Sequence, residues 1–380
     1  MAPLMSREIS IPKMIECFSD LSDPRIDRCK RHKLIDIIVI GLCAMICGAE
    51  GPTGMTAFGK AKKNWLMQFL DLSHGVPSHD TFGRVLSVIE PGEFEQCLLK
   101  WVNEQVSLSK GEVVALDGKT LRGSHNKAQG QESIEIVSAW AASQRLTLGQ
   151  TKVADNSNEI TAVPEVLATL NVEGCVVTVD AMNCQKTIAA QIRKQKADYV
   201  LALKGNHKHL RDQVAEFLNS VREDRTVGFN ISTYQTVDGE HGRIENRRYW
   251  HVTAPDFLPE KSAWQDLNSV GMVESTREIN GQITKEIRYY LSSLPVNAEV
   301  FGNAVRAHWG IENSCHWMLD VVFREDQCRI RIGNAAENMS TLRRLSLNLL
   351  RRDKTEKGGI QIKRLKAALD EDYLRRILNS

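Results

Sequence analysis

Three acidic residues stand where an oxygen-ligand site could be built. Asp117 closes the apolar run Glu112-Val113-Val114-Ala115-Leu116-Asp117 and precedes Gly118-Lys119-Thr120. Asp180 closes Cys175-Val176-Val177-Thr178-Val179-Asp180, and Glu312 lies within Val305-Arg306-Ala307-His308-Trp309-Gly310-Ile311-Glu312-Asn313. Two carboxylates at the C-terminal ends of strands and a third on an amphipathic helix can meet at the rim of an α/β sheet. Carboxylates suit a hard cation that keeps several of its waters, and such a trio can hold two Mg²⁺ ions for phosphoryl transfer. Taken singly, an aspartate at a strand end is more often a turn or a helix cap than a ligand.

Other residues could serve such a site. Lys119 and Lys204 follow or end strands on the same side as the aspartates, where an ammonium could meet a phosphate. His308 and His316 stand four residues on either side of Glu312 on a helical face. This His-x3-Glu-x3-His pattern lacks the cysteine or third histidine expected of zinc, so the histidines read as phosphate contacts or as supports for Glu312. The segment Glu240–Arg248 is dense in charge, and Arg243 and Arg247 could grip a polyanion. Trp250 reads as a hydrophobic contact, with base stacking as the alternative. Trp309 and Trp317 read as core anchors.

The elements that must position these groups can be read from periodicity. Residues 1–110 read as helical, with apolar periodicity at 34–49, 54–71 and 93–106. Ser78 reads as an N-cap after the turn at Gly75-Val76-Pro77. The region fits either a helix-turn-helix or a small bundle. Strands are expected at 112–117, 134–141, 146–153, 175–180 and 198–203, with helices at 159–171 and 183–196. Three strands in succession, then strand–helix–strand, imply a ribonuclease-H-like mixed sheet and not a doubly wound parallel one. Asp117 and Asp180 are 63 positions apart, and Asp180 and Glu312 are 132 apart. The second interval exceeds any single crossover. Its interior, 206–295, carries strand-like runs at 229–238, 243–253, 269–279 and 284–292 and reads as a mostly β insertion. The expected domains are 1–110 (helical), 111–205 with 296–350 (catalytic), 206–295 (insertion) and 351–380 (a basic helical tail).

Composition agrees with an ordinary globular protein, at 380 residues, 42% hydrophobic and 25% charged. The net charge of +2 conceals a gradient: residues 323–380 carry 14 Lys/Arg against 8 Asp/Glu, while residues 1–110 balance at 13 against 13. A basic tail behind an acidic centre fits a metal site beside a polyanion surface. Arg343-Arg344, Arg351-Arg352 and Lys363-Arg364-Lys366 are the tail's candidate backbone contacts, and a solvated helical face is the plainer alternative. The nine cysteines are odd in number and scattered, with no Cys-x-x-Cys pair, which points to buried thiols in a reducing compartment. The longest apolar run, Leu34 to Ala49, is shorter than the ~20 residues of a membrane span. It reads as a core helix, and no signal-peptide pattern precedes it. The expected location is the cytoplasm.

Six segments together resemble a known family. They are Ala115–Arg122, Ser157–Pro164, Val179–Gln185, Leu203–Asn206, His241-Gly242-Arg243-Ile244-Glu245 and His308–Asn313. The chain is similar, over nearly its whole length, to the DDE transposases of bacterial insertion sequences, in the H-repeat-associated subgroup. That resemblance implies an N-terminal associated domain, a ribonuclease-H-like catalytic domain and a β insertion before the last acid. It implies Asp117, Asp180 and Glu312 as catalytic and metal-binding triad, with Mg²⁺ or alternatively Mn²⁺ as cofactor. It also implies double-stranded DNA as partner, both terminal inverted repeats and target, and a homodimer or larger assembly to pair two ends. One departure stands out. The broader superfamily's Tyr-x2-Arg-x3-Glu-x6-Lys signature, anchored on Glu312, falls here on Val305, His308 and Leu319, so only the glutamate matches. Two other readings remain: a non-catalytic DNA-binding relic of such an element, and a ribonuclease-H-like nuclease with a host role.

Overall fold

The structure, a computed structural model, describes residues 13–126, 130, 132–155, 157–225, 227–240 and 243–380. His241 and Gly242 of the fifth segment lie outside the described residues, as do residues 1–12 of the helical region.

Nine strands form one sheet in the order β3-β2-β1-β4-β5-β9-β8-β7-β6. They are β1 (Val113–Leu121), β2 (Ile134–Ala141), β3 (Leu146–Lys152), β4 (Val176–Val179), β5 (Asp198–Leu203), β6 (Ile231–Glu240), β7 (Arg243–Thr253), β8 (Ser269–Ile279) and β9 (Gln282–Ser292). β1–β4 and β4–β5 pair in parallel, and the other neighbours are antiparallel. The mixed α/β, ribonuclease-H-like class expected from the sequence is therefore present. The β insertion does not stand apart from it: β9 pairs antiparallel with β5, Val200 facing Ser292, so the insertion extends the catalytic sheet. The interval also contains a helix, Lys208–Arg222, that the strand-rich reading passed over.

The central strands are apolar at consecutive positions because both faces are covered, and alternate side chains serve opposite faces. Val176, Val200, Tyr249, Val273 and Tyr290 form one buried cluster with Phe301, Ala304 and Val305 of the Ala298–Gly310 helix. Val177, Val179, Tyr199 and Leu201 belong to a second cluster with Ile188 and Ile192 of the Lys186–Lys194 helix and Val214 and Leu218 of the Lys208–Arg222 helix. The Ala298–Gly310 helix starts from Asn297, whose side chain accepts from the amides of Glu299 and Val300, a standard N-cap.

N-terminal helices Leu34–Ile46, His79–Val88 and Pro91–Gln105 pack around the C-terminal helix Ala335–Arg352, Pro91–Gln105 also meets β3, and Pro52–Ala61 packs against Leu34–Ile46 and His79–Val88. Ser78 caps the His79–Val88 helix by accepting from Thr81 N at 3.3 Å. Asn338, fully buried, donates to the carbonyls of Leu86 and Ile89 and ties that helix to Ala335–Arg352. Fifteen of the 18 residues of Ala335–Arg352 are buried. This corrects the reading of the basic tail as a DNA surface. Arg343 and Arg344 are 1% and 0% exposed, and Lys363 and Arg364 are also buried. Lys363 donates to Leu350 O, and Arg364 donates to Met45 O. Arg351 and Arg352 lie over the rings of Trp140 and Trp101. These cations fasten the C-terminal helices to β2 and to the N-terminal helices.

Among the described residues no helix is long and apolar enough to cross a membrane. The apolar run ends as a 13-residue buried helix, Leu34–Ile46.

Candidate active site

Register places the two aspartates side by side. Leu116 of β1 pairs with Val179 of β4, so the next residues, Asp117 and Asp180, are neighbours where β4 stops. β1 does not stop there. It continues to Leu121 against β2, with Asp117 opposite Ser138. Asp117 thus sits mid-strand, at the point where its parallel neighbour ends. Glu312 arrives from the other direction. The Ala298–Gly310 helix passes into a π-helical turn, Ile311–His316, a wider coil often found at functional sites. Ile311 and Cys315 of this turn point into the core while Glu312 is exposed. Asp117, Asp180 and Glu312 line one cavity of about 560 Å³, together with Lys204, Arg211, Arg288, His308 and Trp309.

The acids feel one another. The Asp117 carboxyl is pushed up to about 8 by burial and by the negative charges of Glu159, Glu312 and Asp180. Glu312 is raised by burial and by Asp180, against the pull of Arg288 and Lys204. Among the described residues no three His, Cys, Asp or Glu side chains form a ready-made cage. A cluster of mutually repelling carboxylates in an open cavity nevertheless fits a hard divalent ion that keeps several waters.

The predicted histidines lie behind the acids. His308 Nδ1 and Thr178 Oγ1 are hydrogen-bonded at 2.9 Å. His316 Nδ1 lies 3.6 Å from Asp117 Oδ2. Burial drives His308 down to about 4 and His316 down to about 3, so both are neutral near pH 7. Neither offers phosphate a cation: His308 is bonded to Thr178 of β4, and His316 lies beside Asp117 without a hydrogen bond to it.

Two predicted cations are also consumed internally. Lys119 is buried and pairs with Asp320 at 2.7 Å and Asp326 at 3.0 Å, with Glu325 at 3.6 Å. Arg247 is buried between Asp238 and Glu245. Lys204 and Arg243 are exposed, Lys204 in the acid cavity and Arg243 in an adjoining one of about 380 Å³. Trp250 packs against the core, whereas Trp317 is 51% exposed and is no core anchor. The sequence reading missed Arg288, whose guanidinium lies 4.5 Å from the Trp309 ring and which lines both cavities. No period or motif around β9 marks it. It also missed Glu159 and Asn183 as site residues, although both lie in segments that carried the resemblance.

The family is settled by comparison with known proteins. The "Transposase DDE domain" model matches residues 108–349, and the "DDE_Tnp_1-associated" model matches residues 15–102. The chain belongs to the DDE transposase family. It is 39% identical over 380 residues to the "H repeat-associated putative transposase YhhI" of Escherichia coli (strain K12), covering 97% of this chain and 98% of that one. It is 38% identical over 380 residues to the "Putative protein YbfL" of the same strain, with 97% and 98% covered. It is 39% identical over 379 residues to the "Putative transposase YncI" of Escherichia coli O157:H7, with 98% and 96% covered. In this chain the N-terminal match coincides with the helical layer, and the DDE match spans the sheet, its insertion and most of the buried C-terminal helix.

Proposed function

We propose that the protein is a catalytically competent transposase that cleaves DNA at terminal inverted repeats and transfers the released 3′ ends to target DNA. The observation that carries this reading is the convergence of Asp117, Asp180 and Glu312, from three separate elements, on one cavity, where the negative charges of Glu159, Glu312 and Asp180 act together on Asp117. In this reading the three acids hold two divalent cations, Mg²⁺ or Mn²⁺. When bound, these supply a more acidic water or 3′-hydroxyl and stabilise the leaving 3′-oxygen of an in-line displacement.

The chain's own groups do the rest. Asp117 and Asp180, fixed by strand register, set the spacing of the ligands. The π-helical turn projects Glu312 over them. His308, bonded to Thr178, ties the helix to β4, and neutral His316 lies beside Asp117. Lys204, Arg211 and Arg288 supply cations around the cavity for phosphates flanking the reacting one. Apart from the buried Arg247, the adjoining cavity has five basic linings (Arg243, Arg277, Lys285, Arg288 and Arg306) against three acidic ones (Glu245, Glu286 and Glu312), which supports a DNA backbone path leading away from the acids. The catalytic unit comprises 111–205 and 296–350 with the β extension 206–295. Pairing two element ends calls for a dimer or larger assembly on DNA.

The test uses labelled DNA carrying the gene's own flanking ends, in Mg²⁺ and in EDTA, with wild type, Asp117→Asn, Asp180→Asn and Glu312→Gln. Metal-dependent 3′-end products, joined to target DNA and lost in each variant without loss of DNA binding, are expected. Binding without cleavage by the wild type would overturn catalytic competence in favour of a relic. Cleavage without preference for the flanking ends would favour a host nuclease.

A further inference from the structure

A fourth carboxylate lies against the triad. Glu159 opens the Glu159–Ala168 helix, whose N-cap Asn158 accepts from Ile160 N at 3.1 Å. The side chain is buried at 6% exposure. Its Oε1 lies so close to the backbone of Gly118 that a Cβ there would overlap it. Its Oε2 accepts from Asn183 Nδ2 at 2.8 Å. The same Nδ2 donates to Asp180 Oδ1 at 2.9 Å, and the Asn183 amide donates to that oxygen at 3.0 Å. Asn183 is itself fully buried. Among the described residues no lysine, arginine or histidine forms an ion pair with Glu159; burial and a hydrogen bond shared with the Glu135 carboxyl raise its own carboxyl to about 7. A carboxylate buried without a cation is costly, and a helix start needs only the Asn158 cap.

Resting on the reading of Asp117 and Asp180 as metal-binding acids, we infer that Glu159 and Asn183 form a positioning pair for the two aspartates. Glu159 fixes the Asn183 amide, and Asn183 locks Asp180 by two hydrogen bonds to Oδ1, which leaves Oδ2 for a ligand. Glu159 reaches Asn183 by passing over Gly118, next to Asp117. The glycine after the first aspartate is thereby explained: its missing Cβ is the space the carboxylate uses. Orienting groups of this kind typically contribute about 10–100-fold to metal affinity or activity.

The experiment measures Mn²⁺ affinity of the DNA-free full-length protein by electron paramagnetic resonance, and kcat and KM for cleavage of the flanking-end DNA. Glu159→Ala and Asn183→Leu should each weaken Mn²⁺ binding and lower kcat by about 10–100-fold, with KM for DNA unchanged. Glu159→Gln keeps an acceptor for Asn183 and should recover most of both. The double variant Glu159→Ala/Asn183→Leu should be no worse than either single, because the two act as one unit. Gly118→Ala, which leaves Glu159 in the chain but drives its carboxylate aside, should reproduce the loss even if Glu159→Ala folds poorly. Wild-type Mn²⁺ affinity and kcat in Glu159→Ala or Gly118→Ala, or multiplicative losses in the double variant, would overturn the pair while leaving the transposase reading intact. A wild-type protein that neither cleaves nor binds Mn²⁺ would overturn that reading and the pair with it.

Discussion

Asp117 and Lys119 stand two residues apart on one strand, yet they enter opposite kinds of charge cluster. Around Lys119 the charges balance. Glu325, 2% exposed, faces Lys119, Arg343 and Arg344. Despite complete burial, these cations, Arg344 foremost, hold its carboxyl below its ordinary value. Around Asp117 they do not balance, since Glu159, Glu312 and Asp180 all push the same way. The first cluster is complete within the chain. The second leaves Asp117 among like charges, as the proposed divalent-cation site requires. Burial alone therefore does not distinguish a structural ion network from a ligand site; the sign of the neighbours does.

The largest expected effect comes from breaking the balanced cluster. Glu325→Ala or Arg344→Ala leaves a buried charge without its partner and should cost about 3–5 kcal/mol, read as a lower midpoint in denaturant unfolding. Asp117→Asn removes a repelled carboxylate and should instead stabilise the metal-free protein at pH 8.

The pH dependence sharpens the contrast, because the two clusters have opposite signs. Asp117 is raised from about 4 in the unfolded chain to about 8 when folded. The native state therefore keeps a proton that the unfolded chain has lost. Its contribution is fully present below about pH 4 and is lost as pH rises through about 8. Glu325 is lowered, so its contribution is present above the ordinary glutamate value and is lost as pH falls through its folded value. Thermal melting without metal should show Asp117→Asn losing less stability than wild type between pH 5 and 8, and Glu325→Gln losing less than wild type on acidification.

A smaller effect separates the lysines. Lys204→Ala should reduce the log–log salt dependence of DNA binding by ~0.9 for one phosphate contact, in a fluorescence titration. Lys119→Ala should leave that slope unchanged, because its ammonium is engaged by Asp320, Asp326 and Glu325; it should lower the melting temperature instead.

The same contrast marks what could be read from sequence. β2, β5, β7 and β8 match the expected runs in both limits, because apolar alternation and turn residues are local signals. Asp117 and Asp180 were visible at the ends of apolar runs and Glu312 on an amphipathic helix, and the family resemblance implied the same three. Lys119 was misplaced because alternation puts it on the face of Asp117 but cannot reveal what covers that face. Its partners Asp320, Glu325 and Asp326 come from some 200 positions away in the chain. The tail was misread for the same reason: a charge count cannot tell an arginine on a solvated face from Arg344 between Ser138 and Glu325. The insertion's strands were legible, but not their union with the main sheet, which depends on the β5–β9 pairing.

The central claim is that the Asp117 cluster is a divalent-cation site and the Lys119 cluster is not. A calorimetric titration with Mn²⁺ at pH 8, on wild type and on Asp117→Asn, Asp180→Asn, Glu312→Gln and Asp326→Asn, tests it most directly. Saturable binding that weakens by at least about tenfold in each triad variant and persists in Asp326→Asn is the predicted result. Equal binding in all five proteins, or loss only in Asp326→Asn, would contradict it.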